Sequence, residues 1–300
     1  MKGMIFITKE SKVIGFIGTG VMGKGMITNL IHANYTVNIY TRTKEKASSL
    51  VQIGAHWKDS IAELTKSSDV VITMIGTPAD VEDVYFGEEG ILKNANEGMF
   101  FIDMTTSKPS LAKKITEEAL RKKGYALDAP VSGGETGANN GMLTIMVGGN
   151  EEAYNTMLPI LSVLGEKIVL MGQAGSGQYA KMCNQIAMAA NMIGVCESIT
   201  CAKKSGMDTR HIIDTISTGS SSSWVMNNLA HQMMDGDYKP GFYVKHLIKD
   251  LTIAQETAKE LDISTPSLDV SLSLFKQLAD IGEENNGTRA IMKLYEESLI

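Results

Sequence analysis

The sequence predicts a doubly wound α/β sheet domain over residues 1–175, followed by an all-helical domain over 176–300, with a long helix joining the two. Three observations carry this expectation. Short apolar runs alternate with helical patterns from Lys12 to Asp128, the signature of a parallel sheet covered by helices. A G-x-G-x-x-G segment lies between the first apolar run and the first helical pattern. After Gly175 no strand pattern appears, and the helical period runs to the end of the chain.

Taken in order, Lys12–Ile17 reads as a buried strand that runs into Gly18, Thr19, Gly20, Val21, Met22 and Gly23. A helix follows with Met22, Met26, Leu30 and Ile31 on its apolar face. Gly18 permits the tight turn, Gly20 lets the backbone approach a pyrophosphate, and Gly23 lets helix pack closely on sheet. Unpaired N–H groups at the helix start favour the anion, so Gly18–Gly23 is a candidate dinucleotide cradle of a Rossmann domain. Tyr35–Tyr40 is the second strand. An enzyme binding NAD usually carries Asp or Glu at its end, to meet the ribose 2′-hydroxyl. Here Thr41, Arg42 and Thr43 stand there, chemistry suited to a 2′-phosphate, so NADP(H) is favoured over NAD(H).

Asp69–Ile75 and Phe100–Met104 are two further buried strands, leading to Thr77 and to Thr106. Ligands in such sheets bind beyond the carboxyl ends of the strands, so both threonines are candidate cofactor contacts as well as turn formers. The strand Tyr125–Asp128 leads to Ser132, Gly133 and Gly134, and Leu143–Val147 reads as a return strand. The glycines allow two readings: a backbone nest for a carboxylate, or the turn of a long hairpin.

Between Lys167 and Glu197 the only charged residue is Lys181, within a stretch that reads as one long, largely buried helix. Gln178, Lys181, Asn184 and Gln185 share one stripe of it. Lysine is rarely buried unless paired or working, so Lys181 either reaches solvent along its stem or does chemistry. Downstream, Asp208 is a plausible N-cap, and Ser264–Pro266 separates the last two major helices. Trp224 admits two readings, a core residue or a lid over a pocket, while Lys245 and His246 read as surface.

The remaining composition excludes several classes. A net charge of −6 gives no footprint for nucleic acid, and no apolar run reaches a membrane span. Residues 1–11 hold an apolar patch too brief for a secretory signal. Cys183, Cys196 and Cys201 offer no metal spacing, and no metal is expected; Cys183 and Cys196 read as core residues in a reducing cytoplasm. The long uncharged helix exceeds what one small helical domain can bury, which points to a homodimer or homotetramer.

Four stretches together resemble the β-hydroxyacid dehydrogenase family: GFIGTGVMGKGMITNL, DAPVSGGETGANNGMLTIMVGG, GSGQYAKMCNQ, and the segment from Pro240–Phe242 to Lys249–Leu251. The resemblance implies that Lys181 is the catalytic lysine, with Asn184 and Gln185 orienting substrate or lysine. It further implies that Ser132, Gly133 and Gly134 hold a substrate carboxylate, that Phe242 lies near the substrate and that Lys249 lies near the nicotinamide. Gln185 stands where many members have Asn, a variant that resembles the tartronate semialdehyde reductase branch, and Thr41 stands where Asn is common. The expected activity is NADP(H)-dependent interconversion of a small 3-hydroxy acid and its semialdehyde. The alternatives are an NAD-dependent 3-hydroxyisobutyrate-type dehydrogenase and a catalytically silent dinucleotide-binding sensor. Imine reduction is disfavoured by the presence of Lys181.

Overall fold

A computed structural model describes residues 12–296, and the reading of residues 1–11 lies outside them. The chain forms two compact units, one ending at Gln178 and the other beginning at Tyr179.

The first unit is built on one sheet. Its elements are β1 (Val13–Ile17), α1 (Val21–His32), β2 (Thr36–Tyr40), α2 (Ser48–Gln52), β3 (His56–Trp57), α3 (Ile61–Lys66) and β4 (Val70–Thr73). Then come α4 (Pro78–Phe86), α5 (Ile91–Asn94), β5 (Phe100–Asp103), α6 (Pro109–Arg121), β6 (Tyr125–Asp128) and β7 (Val131–Ser132). The unit closes with α7 (Gly134–Asn140), β8 (Leu143–Gly149), α8 (Glu151–Leu164) and β9 (Gly165–Gly172). Strand order is β3-β2-β1-β4-β5-β6-β8-β7, with β9 also paired to β8. The first six strands run parallel, β8 runs antiparallel to β6 and β7, and β9 runs parallel to β8.

Side chains alternate across a strand, so each strand feeds two cores. Ile14, Phe16, Val70, Ile72 and Ile102 face Met26, Leu30, Met157 and Leu161 of α1 and α8. Ile17, Val71 and Phe101 face Leu64, Val81, Tyr85, Ile91 and Ile115 of α3 to α6. Near-continuous apolar runs are what a sheet covered on both faces requires.

Between β7 and β8 the structure departs from the hairpin reading. Leu143 does begin the return strand, but Gly134–Asn140 forms helix α7 instead of a turn. Its small residues allow close packing on α1: a Cβ at Gly25 would come within 2.9 Å of the Ala138 carbonyl carbon. Asn29 Nδ2 donates to the Ala138 carbonyl at 2.8 Å.

The second unit is helical throughout its described residues, apart from an isolated bridge between Tyr243 and Gly287. α9 (Ser176–Lys204) starts in the last residues of the first unit and runs on as the first helix of the second. It is followed by α10 (Thr209–Ile216), α11 (Trp224–Met234), α12 (Val244–Glu260), α13 (Pro266–Leu278) and α14 (Met292–Glu296). Met192, Cys196 and Ile199 pack with Val225 and Met233 of α11, Leu247 and Leu251 of α12, and Leu272 and Phe275 of α13. Asp208 caps α10 by accepting the His211 N–H. The core expectation for Cys183 fails here, and of the two readings of Trp224 the core one falls. Cys183 is exposed on α9, because the helix buries a different stripe, and Trp224 is 68% exposed at the first turn of α11, so it is no core residue. Lys245 and His246 lie on the surface as expected.

Candidate functional site

In the first unit the candidate residues follow β1, β2, β4 and β5 or stand at and after the end of β7. Gly18 leaves β1 with φ +107° and donates its N–H to the Tyr40 carbonyl at 3.1 Å, which brings the loop after β2 alongside the glycine turn. A Cβ on Gly18 would stand 2.1 Å from the Met74 carbonyl oxygen, and one on Gly23 would stand 2.0 Å from the Gly18 carbonyl oxygen. A Cβ on Gly20 would meet nothing within 4 Å. Gly20 caps α1 without any side-chain hydrogen bond, so the first N–H groups of a 12-residue helix face outward over that open space. Thr19 Oγ1 is buried in this loop without a hydrogen-bond partner. An open cradle, outward amides and an orphaned hydroxyl suit a pyrophosphate, and the residues fit a dinucleotide.

Around this cradle, Val21 is exposed and Met22 half-buried, while Thr41 is half-buried and Arg42 and Thr43 are exposed. Arg42 Nη1 lies 3.1 Å from Asp80 Oδ1. Thr77 caps α4 in a reciprocal box: its Oγ1 accepts the Asp80 N–H, and Asp80 Oδ2 accepts both the N–H and the hydroxyl of Thr77. Its hydroxyl is thus committed to the turn, and Thr106 sits half-buried in the loop after β5. Ser132 ends β7 opposite Thr144, and Gly133 and Gly134 both take positive φ, +130° and +59°.

Sequence reasoning assigned no role to two buried carboxylates in this unit, Asp103 at the end of β5 and Asp128 at the end of β6. Asp128, 3% exposed, accepts the N–H groups of Gly175 (2.7 Å) and Gln178 (2.9 Å), anchoring the start of α9 on β6. Gln178 completes the anchor: its Oε1 accepts the Ser107 N–H at 2.9 Å and its Nε2 donates to the Thr105 carbonyl at 2.8 Å. It belongs to this structural latch, although helical spacing places it on the stripe of Lys181. The signal for the Asp128 anchor was an Asp at a strand end together with a Gly-Ser-Gly at a helix start.

In the second unit Lys181 is only 7% exposed. Burial lowers the pKa of its amine, the negative charge of Asp250 opposes that fall, and the positive charge of Lys249 adds to it. Asp250, 4% exposed, accepts Gln185 Nε2 on Oδ2 at 2.6 Å and pairs through Oδ1 with Lys249 Nζ at 3.1 Å. A carboxylate can only accept here, so the Gln185 nitrogen faces Asp250 and its oxygen takes the Asn184 Nδ2 proton at 2.8 Å. Asn184, Gln185, Asp250 and Lys249 therefore form one hydrogen-bonded chain on α9 and α12. The extra methylene of Gln185 relative to Asn lengthens its reach to Asp250. Phe242 packs half-buried on the helical core just before α12, and its carbonyl accepts the Thr288 N–H. No group of three or more His, Cys, Asp or Glu side chains is arranged for a metal among the described residues.

Residues 13–172 match the family model described as the NAD binding domain of 6-phosphogluconate dehydrogenase. Residues 175–295 match the model described as NAD-binding of NADP-dependent 3-hydroxyisobutyrate dehydrogenase. The chain is 34% identical over 283 residues to 2-hydroxy-3-oxopropionate reductase of Escherichia coli, covering 94% of this chain and 97% of the relative.

The chain belongs to the β-hydroxyacid dehydrogenase family.

Another similar protein is the uncharacterized oxidoreductase YkwC of Bacillus subtilis, 55% identical over 284 residues, covering 95% of this chain and 99% of the relative. Among solved structures, 3-hydroxyisobutyrate dehydrogenase of Mycobacterium tuberculosis with L-serine superposes with a TM-score of 0.88 at 29% identity, covering 94% of this chain and 98% of that one. The chain is accordingly an NAD(P)-dependent hydroxyacid dehydrogenase, a Rossmann-like domain followed by a helical one. The two matched domain models support a nicotinamide dinucleotide as the cofactor of this β-hydroxyacid dehydrogenase. No described helix is long and apolar enough to cross a membrane.

Proposed function

We propose that this β-hydroxyacid dehydrogenase interconverts a small 3-hydroxy acid and its semialdehyde, prefers NADP(H) to NAD(H), and uses Lys181 as general acid and base. The observation that carries the reading is the state of Lys181: an almost fully buried amine, its pKa lowered by burial, with Asp250 close enough to oppose the fall. An amine lowered from its ordinary range exchanges a proton more readily near neutral pH. Bound nicotinamide supplies or accepts the hydride. During reduction Lys181 Nζ gives a proton to the substrate oxygen, and during oxidation the neutral amine takes it back. Asp250 holds Gln185 and Lys249, and Gln185 in turn holds Asn184, so the polar groups around the lysine keep fixed orientations.

In the first unit Gly18 to Gly23 would take the pyrophosphate, Thr41, Arg42 and Thr43 the 2′-phosphate, and Thr77 and Thr106 the neighbouring cofactor surface. Ser132, Gly133 and Gly134 would bind the substrate carboxylate, a role supported by two consecutive positive-φ glycines. Phe242 would contact the substrate and Lys249 the nicotinamide end. The serine bound to the tuberculosis enzyme is itself a 3-hydroxy acid, which supports the substrate class.

The test is NADPH and NADH oxidation at matched concentrations against tartronate, succinic and methylmalonate semialdehydes and glyoxylate. Rapid turnover with NADPH and one compound is expected. Faster turnover with NADH would overturn the reading of Arg42 and leave the rest standing. Binding of NADPH without turnover on any compound would favour a silent module.

A reducing cytoplasm is part of the proposal, supported by three free cysteines. So is a homodimer or homotetramer, supported by the uncharged residues Cys183, Ala187, Asn191 and Gly194 exposed along α9. Sedimentation at micromolar concentration checks the second point, and a monomer would contradict it.

A further inference from the structure

Asp80 lies in the first turn of α4, and the capping box with Thr77 fixes how its carboxylate points. Oδ2 accepts the Thr77 N–H at 3.0 Å and the Thr77 hydroxyl at 2.7 Å, while Oδ1 is presented to Arg42 Nη1 at 3.1 Å. The Arg42 side chain is 84% exposed and that of Asp80 is 26% exposed. The guanidinium that would meet a 2′-phosphate is therefore tethered to a carboxylate that is itself held still. The tether has two electrostatic consequences. It offsets part of the charge on Arg42, and it places a second negative group beside a phosphate that carries close to two negative charges. A neutral 2′-hydroxyl meets no such repulsion, and can donate to a carboxylate.

We propose that Asp80 is a specificity-setting residue, whose carboxylate competes with the cofactor's 2′-phosphate for Arg42 and so restrains the preference for NADP(H) over NAD(H). The proposal rests on the reading of Arg42 as the 2′-phosphate partner. Asp80 acts through Arg42, so the two residues must be coupled, and a double-mutant cycle isolates that coupling. Exposed ion pairs are modest, which sets the expected change in discrimination at roughly two- to fivefold. Low salt makes it easiest to see, because screening weakens exposed charge interactions.

The experiment measures dissociation constants of NADPH and NADH by fluorescence titration of the full chain, for the parent, Asp80→Asn, Arg42→Ala and the double variant. Thermal melts without cofactor verify that each is folded. Asn retains an acceptor for the Thr77 N–H. Asp80→Gln, which also removes the charge and keeps an amide oxygen at the third helical position of the capping box, repeats the comparison if Asp80→Asn melts early. The expected result is a ratio of NADH to NADPH dissociation constants that rises roughly two- to fivefold in Asp80→Asn. That ratio should stay unchanged when Asp80→Asn is added to Arg42→Ala. An unchanged or lowered ratio in Asp80→Asn, or an equal rise in both backgrounds, overturns the role of Asp80. If Arg42→Ala alone leaves the ratio unchanged, the NADP(H) reading itself fails and the proposal falls with it.

Discussion

Replacing Asp103 by Asn should flatten the acid side of the stability profile of the sheet unit. Asp103 ends β5 at 5% exposure, and its Oδ1 accepts the Thr73 hydroxyl at 2.8 Å and the Thr105 N–H at 3.1 Å. Thr73 has one hydroxyl proton and spends it on Asp103, so the Tyr85 hydroxyl, 3.3 Å away, donates to Thr73 in turn. Burial raises the Asp103 carboxyl from 3.8 to about 6; the bonds from Thr105 and Thr73 hold it down, and the charge of Asp128 adds to the rise. The folded state thus binds this proton more tightly than the unfolded state does. Between about pH 4 and pH 6 the folded chain carries more of it, so its contribution to stability is present in acid and is lost as pH rises to about 6. A rise of about two pKa units corresponds to roughly 3 kcal/mol. Asn mimics the neutral acid, with its oxygen in the place of Oδ1, where it accepts both the Thr73 hydroxyl and the Thr105 N–H. Urea unfolding at several pH values, in a Trp224→Phe background where Trp57 alone reports, measures the effect. The variant should lose roughly 3 kcal/mol less than the parent between pH 4 and pH 7. Parallel profiles for the two proteins would refute the reasoning, because the other titrating groups are common to both.

Two further outcomes follow from particular contacts. Gly23→Ala forces a Cβ to within 2.0 Å of the Gly18 carbonyl oxygen, so the glycine turn must open. Cofactor affinity should fall at least tenfold and the sheet unit should lose about 1–3 kcal/mol, checked by titration and melting; parental affinity would show that the turn is not the cradle. Asp250→Asn removes the charge that opposes the fall of the Lys181 pKa. The pH limb of kcat/KM for oxidation should therefore move to lower pH, and reduction at neutral pH should slow. A limb that stays put or moves upward would contradict the coupling.

Much of this was legible in the sequence, for physical reasons that differ from element to element. The parallel strands announce themselves because a sheet covered on both faces needs apolar runs, as in Val70–Thr73 and Phe100–Asp103. The glycine turn is legible because backbone crowding leaves no room for a side chain at Gly18 or Gly23. Lys181 stands out because an uncharged helix makes a single amine conspicuous. Helix α7 was missed because Gly134, Gly137 and two asparagines are poor helix formers, and packing on α1 overrides that weak preference. The Arg42–Asp80 pair and the Gln185–Asp250 pair join residues 38 and 65 positions apart, a proximity that spacing does not encode. Gln178 shares the helical stripe of Lys181, yet its amide is spent on the backbone of the loop after β5, a partner that periodicity does not reveal.

The most direct measurement for the central claim is turnover and cofactor binding in the same Lys181→Met preparation. Methionine keeps the length and apolar packing of the buried stem and removes the amine. The account predicts a kcat for semialdehyde reduction about two to four orders of magnitude below the parent, with the NADPH dissociation constant within about twofold. A kcat within about tenfold of the parent would show that another group moves the proton, and would contradict the role of Lys181.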